Sequence, residues 1–203
     1  METLTISKMW HHFRTIQTHR KWVRRYCRMA GIPWRGITHD LSKYSPIEFF
    51  ESARYWTGTR SPVDVCKEEN GVSLAWLHHK GRNTHHYEYW MDNFSKGGEP
   101  LLMPLKDFTE QVCDFLGAGR AYNPQGFTYS REYEWWKNNR DKKKMHEKNK
   151  MMLDLIFFEL SITENPNRIP TDIPFIRDWI PTPEKYLKSG RIEEVYNHFL
   201  FLD

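Results

Sequence analysis

Residues 5–30 read TISKMWHHFRTIQTHRKWVRRYCRMA, and mostly apolar side chains recur in this stretch at steps of three and four. An α-helix turns once every 3.6 residues or so, so this spacing places the recurring side chains on one face of a helix. Gly31 and Pro33 follow and are typical of a helix end. The stretch therefore predicts a long helix whose inward face carries Met9, His12, Ile16, His19, Val23, Cys27 and Ala30.

A second helix start follows this predicted helix. Ser45-Pro46 offers an N-cap residue and a proline at the first helical position, and Glu48 completes the pattern of a capping box. These residues predict a helix that runs from Ser45 to about Trp56. Residues 58–71 are predicted to form a loop.

The helical pattern continues through the rest of the first domain. Further helices are predicted over residues 72–80, from Pro104 onwards and over residues 130–162, and few strands are indicated. The predicted fold class is therefore all-α, with residues 1–162 forming one helical domain.

Residues 163–203 differ from the preceding domain in their proline content. Proline cannot continue a helix, so its recurrence favours an extended segment that wraps the domain. A terminal amphipathic helix is predicted over residues 183–200. The prolines in question are Pro166, Pro170, Pro174, Pro181 and Pro183.

Composition narrows the class of protein. The 203 residues are 39% hydrophobic and 15% aromatic, which argues against disorder over most of the chain. Three widely spaced cysteines do not form a disulfide framework and favour a reducing compartment. No apolar run reaches the length of a membrane span, and the net charge of +4 gives no strong indication of nucleic-acid binding. We therefore expect a cytoplasmic protein that does not bind a membrane.

The histidines indicate the chemistry. His39 and Asp40 are adjacent and lie twenty residues after His19, so a local bend in the backbone would let both face one cation. Imidazole together with carboxylate suits divalent first-row metals. Gly117, three residues after Asp114, would allow close packing around such a site. Further candidate ligands are His79, His85, His86 and Asp114.

The order of these residues resembles the HD-domain superfamily of metal-dependent phosphohydrolases. The family pattern is a His, an adjacent His-Asp and a distant Asp on helices, which correspond here to His19, His39-Asp40 and Asp114. Residues 39–43, HDLSK, resemble the common HDxxK form. The resemblance covers about residues 8–160 and extends to a group of uncharacterised small HD-type proteins found in bacteria and phages.

The resemblance implies an HD-domain-like helical bundle that binds one or two divalent ions of Mn, Fe, Mg, Co, Ni or Zn. A metal-activated water would hydrolyse a nucleotide or related small phosphate ester. Asp40 is the candidate that would bridge two ions. Some family members hold a second metal with extra histidines in this interval, so the implied ligands are His19, His39, Asp40, His79, His85, His86 and Asp114.

Further roles are assigned around these ligands. Lys43 matches the lysine of the family pattern and is a candidate catalytic residue. Glu110 would orient a ligand histidine or act as a general base, although a surface carboxylate is also an open interpretation. Phosphate-binding roles are predicted for Lys80, Arg82 and Arg120.

Two adjacent histidines on a helix cannot both face one ion, because neighbouring side chains point about 100° apart. Of His78 and His79, only His79 is predicted as a ligand. One of His85 and His86 is predicted as a ligand, and the other would lie just outside the coordination shell. His12 is interpreted as a packing residue.

Two other functions remain open at this point. An HD-type diiron oxygenase would use the same ligands to hold redox-active iron. A non-catalytic nucleotide-binding or interaction protein would bind without turnover. The sequence does not identify the substrate or the oligomeric state.

Overall fold

The structure is a computed structural model that describes residues 2–92 and 98–164, and these residues form eight α-helices and no strand. Short 3₁₀ turns at Leu41–Tyr44, Tyr87–Trp90 and Arg140–Lys142 connect some of the helices. The predicted all-α class is confirmed. The helices are α1 (Ile6–Met29), α2 (Pro33–Thr38), α3 (Pro46–Arg54), α4 (Pro62–Asn70), α5 (Leu74–Lys80), α6 (Leu105–Tyr122), α7 (Tyr129–Asn139) and α8 (Glu147–Thr163).

The first helix follows the prediction closely. The Thr5 side chain caps its N-terminus by accepting a hydrogen bond from the backbone N–H of Lys8, and Gly31 beyond its end adopts a φ of +75°. Its inward face buries Ile16, Val23 and Cys27. The helices α2, α3 and α6 all pack against α1.

Close packing of α1 against α6 depends on a glycine. A Cβ atom at Gly117 would lie only 2.4 Å from Cγ2 of Val23, so a larger residue would push the two helices apart. The core beside this contact contains Phe108 and Leu116 of α6, both fully buried. The small residue predicted near Asp114 thus brings the two longest helices within reach of a shared site.

Two local predictions are wrong. Residues 58–71 do not form a continuous loop, because α4 occupies Pro62–Asn70 between the N-cap Ser61 and Gly71, whose φ is +74°. The helix buries only Pro62 and Cys66, so its apolar spacing is too short to stand out in the sequence. The capping box is also absent, since the side chain of Ser45 accepts no hydrogen bond from α3.

The last helix of the described residues, α8, ends at Thr163. Residues 165–203, on which the predictions of a Pro-rich wrapping segment and a terminal helix fall, lie outside the described residues. Within the described residues, we find no helix with both the length and the apolar character needed to cross a membrane.

Candidate metal centre

The His39-Asp40 turn has an unusual backbone. Asp40 adopts a φ of +56° and a ψ of 27°, which is the left-handed region that residues other than glycine rarely occupy. This bend lets the two adjacent side chains face the same point, as the metal-site prediction required. Arg20 of α1 braces the turn, since it donates hydrogen bonds to the backbone carbonyls of His39 and Ile37, both at 2.9 Å.

The first cluster contains His19, His39, Asp40 and Asp114, all of them buried. Nε2 of His19 lies 3.0 Å from Oδ1 of Asp114 and 3.2 Å from Oδ2 of Asp40. Nε2 of His39 lies 3.2 Å from the same Asp40 oxygen and 3.3 Å from Asp114 Oδ1. The structure therefore brings residues from α1, the His39-Asp40 turn and α6 to one point.

The second cluster contains Asp40, His79, His85 and His86. Oδ1 of Asp40 lies 3.3 Å from Nε2 of His79 and 3.4 Å from Nε2 of His85. Nε2 of His86 lies 2.9 Å from Nε2 of His79. Both His85 and His86 thus belong to this cluster, and which of them would bind an ion stays a prediction.

Asp40 links the two clusters through its two oxygens. Oδ2 faces His19 and His39, whereas Oδ1 faces His79 and His85. Oδ1 of Asp40 and Nε2 of His85 are both buried and have no hydrogen-bond partner among the described residues. Buried polar atoms are normally paired, so these orphaned atoms fit a pair of cation sites that share one carboxylate.

Outer carboxylates fix the orientation of two histidines of the clusters. Nδ1 of His39 lies 2.8 Å from Oε1 of Glu110, and Nδ1 of His79 lies 2.7 Å from Oε2 of Glu48. A carboxylate at Nδ1 requires the proton there, which leaves Nε2 free to bind a cation. Glu110 therefore has the orienting geometry, one of the alternatives left open by the sequence.

Glu48 contacts a histidine of the second cluster, a role that the sequence does not indicate. The sequence pattern predicts Glu48 as part of a capping box, but its carboxylate instead accepts hydrogen bonds from both His78 and His79. His78 binds Oε1 of Glu48 at 2.6 Å and belongs to neither cluster, in agreement with the choice of His79 over His78. A glutamate near the start of a helix commonly caps it, so the sequence around Glu48 gives no indication of its contact with His79.

Arg35 is a second residue near the clusters that the sequence does not indicate, and it forms an ion pair with Glu110. Its guanidinium forms ion pairs with Asp107 and Glu110, one helical turn apart on α6, and contacts Thr84 beside His85. Arg35 thereby ties α2 and α6 to the segment that carries the second cluster. A lone arginine in a short helix gives no sequence indication of this role.

Negative charge is concentrated where the clusters meet. Burial by itself lowers the pKa of His39, but the carboxylates of Asp40, Asp114 and Glu110 outweigh it and hold that pKa well above its usual value. Burial raises the pKa of Asp114, yet its hydrogen bonds with His19 and His39 keep that pKa well below its usual range. The buried carboxylates therefore favour positive charge at this point, from protons or from a metal cation.

Lys43 lies beside the shared carboxylate. Its Nζ is 2.6 Å from Oδ2 of Asp40, and the side chain is about one-third exposed. Burial alone lowers the pKa of Lys43, but Asp40 and Asp114 raise it above its usual value, so the ammonium stays charged. Lys43 thus presents a cation at the edge of the first cluster.

Both clusters border a cavity of about 630 Å³. Four members of the clusters form part of its wall together with Lys43: His19, His79, His86 and Asp114. The volume is in the range of pockets that hold small organic ligands. Aromatic rings also line the cavity and provide apolar surface: Trp76, Tyr87, Phe115, Tyr122 and Trp135.

The predicted phosphate-binding cations are not brought to this cavity. Lys80 and Arg82 do not line it, and Arg82 is exposed. Arg120 packs 3.9 Å from the ring centroid of Phe127 and donates a hydrogen bond to the hydroxyl of Tyr26 at 3.1 Å. These three residues follow ligand residues closely in sequence, but their helix faces and loop positions carry them elsewhere.

Other cations line the cavity in their place. Lys143 lies 5.7 Å from the ring centroid of Tyr87 and 5.6 Å from that of Trp135, between two rings of the wall. Arg60 and Arg131 also line the cavity, and Arg60 is paired with Glu68.

A protein-family model described as a family of unknown function, DUF5662, matches residues 8–158. These residues include every member of both clusters, and the chain belongs to this family. No curated protein matches the chain, and no solved structure does. The chemistry of the site is therefore inferred from its own residues.

Proposed function

We propose that this protein is a metal-dependent hydrolase of a nucleotide or a related small phosphate ester. One observation carries the proposal. Asp40 presents one carboxylate oxygen to each of two clusters of metal-ligating residues, and both clusters border a cavity that contains the ammonium group of Lys43. A shared carboxylate between two ion sites is the arrangement of two-metal phosphoryl chemistry.

The donor set supports a first-row transition metal. Five imidazoles and two carboxylates meet in the two clusters. Imidazole suits Fe, Co, Ni or Zn, and the carboxylates also suit Mn. Divalent ions bound there would supply a nucleophilic water at neutral pH and polarise the phosphoryl group. The first cluster would hold one ion and the second cluster the other, with Asp40 common to both.

The protein residues would perform the remaining tasks. With an ion bound in place of the second ring proton, Glu110 and Glu48 would hold His39 and His79 in the tautomer whose Nε2 faces the ion. Lys43, charged and beside Asp40, would stabilise the negative charge that develops on the phosphate oxygens. Lys143 and the rings beside it would contact the rest of the substrate, where an aromatic wall suits a nucleobase.

The test compares Asp40→Asn with Asp141→Asn, a control whose side chain is 93% exposed. The full chain, purified without chelator, is analysed for metals and assayed for phosphate release from nucleotides and small phosphate esters with each candidate ion. We expect Asp40→Asn to lose bound metal and at least about 10³-fold in activity, since it removes the charge that both ions share. Asp141→Asn should behave like the wild type.

Three results would contradict the proposal. Full activity in Asp40→Asn is one, and the absence of phosphate release by the wild type with every candidate ion is another. The third is oxygen consumption by the iron-loaded protein without release of phosphate, which would favour the oxygenase. Melting temperatures of both variants separate loss of chemistry from loss of folding.

A further inference from the structure

Gln111 of α6 has a buried amide without a partner. Its side chain is 1% exposed, and neither Oε1 nor Nε2 forms a hydrogen bond with any described residue. A buried amide normally satisfies both groups, and leaving them unpaired is costly. Such a group in a well-packed helix calls for a binding partner other than the residues that the structure describes, and a bound ligand is one that the cavity can supply.

The position of Gln111 identifies where that partner would lie. Gln111, Asp114 and Phe115 share one face of α6, and all three line the cavity next to the metal clusters. Gln111 precedes Asp114 by three residues, which corresponds to a rise of about 4.5 Å along the helix. A group bound to the amide would therefore lie close to a phosphate at the clusters, within the length of one sugar ring.

The chemistry of the amide limits the kind of group. It is neutral, and it offers one acceptor oxygen beside an NH₂ donor. Two neighbouring hydroxyls match this pair, since one can donate to Oε1 while the other accepts from Nε2. The cations and aromatic rings elsewhere on the wall, such as Lys143 and Trp135, suit phosphate or a base instead.

We propose that Gln111 is a specificity-determining residue that binds the hydroxyls of a sugar directly attached to the phosphate. This inference rests on the proposed function and narrows its substrate class to ribose-type phosphate esters over their deoxy counterparts. Sites built to hydrogen-bond a substrate hydroxyl reject an analogue without it, because the buried protein groups are then left unpaired.

The test measures a preference ratio. The metal-loaded full chain is given the four ribonucleoside 5′-monophosphates and their 2′,3′-dideoxy counterparts, and kcat/KM is compared within each pair. We expect the wild type to prefer the hydroxylated member by about 10- to 100-fold. Gln111→Met, which keeps the length of the side chain but removes both hydrogen-bonding groups, should bring that ratio close to one.

Control measurements separate recognition from structure. Gln17→Met replaces an exposed glutamine on α1 and should leave the preference unchanged. The melting temperature of Gln111→Met should equal or exceed that of the wild type, because the variant removes an unpaired buried amide. A lower melting temperature with an unchanged preference ratio would assign Gln111 a structural role and overturn the inference.

The failure of this inference and the failure of the proposed function give different results. If no nucleotide is hydrolysed, calorimetric dissociation constants replace kcat/KM in the same comparison. Preferential binding without turnover, abolished by Gln111→Met, supports the inference and contradicts the hydrolase. Turnover of both pair members at equal rates supports the hydrolase and overturns the inference. If there is no turnover, equal binding of both pair members also overturns the inference.

Discussion

The two clusters share Asp40 but differ in how the fold supports their other ligands. The first cluster takes His19 and Asp114 from α1 and α6, the two longest helices, which pack tightly on each other through Gly117. The second cluster takes His79 from α5, a helix of seven residues, and its other histidines from the loop that follows. His86 in that loop is only partly buried.

This difference predicts unequal binding of the two ions. Ligands on long, packed helices are held in position before the ion arrives, so little conformational entropy is lost on binding. Ligands on a short helix and a loop lose more, and a partly exposed site exchanges more easily with solvent. We therefore expect the first cluster to retain its ion and the second cluster to exchange it.

The largest effect is expected from His19→Ala. This change removes an imidazole that lies 3.0 Å from Asp114 and 3.2 Å from Asp40, and it leaves both carboxylates short of a partner. We expect about 10³-fold less phosphate release and the loss of one equivalent of metal by elemental analysis. His11→Ala, an exposed position on the same helix, is the control. Wild-type metal content in His19→Ala would exclude the first cluster as an ion site.

His86→Ala is expected to have a smaller effect. The variant deletes the most exposed ligand of the second cluster, while the first cluster keeps all four of its residues. Activity should fall by about 10- to 100-fold, and one equivalent of metal should remain bound. If His86→Ala instead loses both ions, the two clusters do not bind independently and the comparison fails.

The outer carboxylates allow the two clusters to be weakened unequally. Glu48→Gln should act on the second cluster through His79. Glu110→Gln should act mainly on the first cluster through His39, because the contact of Glu110 with His85 of the second cluster is longer, 3.3 Å against 2.8 Å. Each change should weaken the binding of an ion at its main cluster by about 10- to 100-fold, because a neutral amide raises the basicity of the imidazole less than a carboxylate does. Zinc titration against a chelating indicator measures both affinities. Equal weakening of the same ion by both variants would contradict the assignment.

The smallest effect concerns His12, which lies on α1 two turns before His19 and belongs to neither cluster. Burial, with a contribution from Lys43, lowers the pKa of His12 to about 4. Between about pH 6.5, the pKa of a histidine in the unfolded chain, and about pH 4, the unfolded chain binds more protons at this position than the folded chain does. The contribution of His12 to the unfolding free energy is therefore fully present above about pH 6.5 and decreases as the pH falls below it.

His12→Phe tests this contribution, since Phe49 already contacts the ring at a centroid distance of 5.4 Å. Between pH 8 and pH 5 the variant should lose about 1–2 kcal/mol less unfolding free energy than the wild type. Urea unfolding at the two pH values measures the difference. Equal losses in both proteins would show that the cluster residues account for the whole pH dependence.

Several parts of the fold and site were predictable because they depend on local sequence. The spacing of Ile16, His19 and Val23 sufficed for α1, and the adjacency of His39 and Asp40 required only one bend to make a common ligand pair. Local patterns failed where their length was short. The apolar face of α4 buries Pro62 and Cys66 alone, which is too short a pattern to predict a helix from the sequence.

Partners distant in the chain were not predictable in the same way. Glu48 lies 31 residues from His79, and Arg35 lies 75 residues from Glu110, and no spacing rule connects either pair. Lys80, Arg82 and Arg120 illustrate the reverse error. Their proximity in sequence to ligand residues suggested phosphate contacts, but position along a chain does not fix the direction in which a side chain points.

By itself, the sequence determined the helical class, the supply of imidazole and carboxylate donors, and the residues that resemble a metal-binding motif. Tertiary packing alone decided that Asp40 turns one oxygen to each cluster, that Glu48 binds histidine instead of capping α3, and that Gln111 reaches the cavity unpaired. The physical reason is that periodicity defines which side chains share a face of one helix. Which faces meet depends on how all the helices pack together, and a small residue such as Gly117 sets how closely they do so.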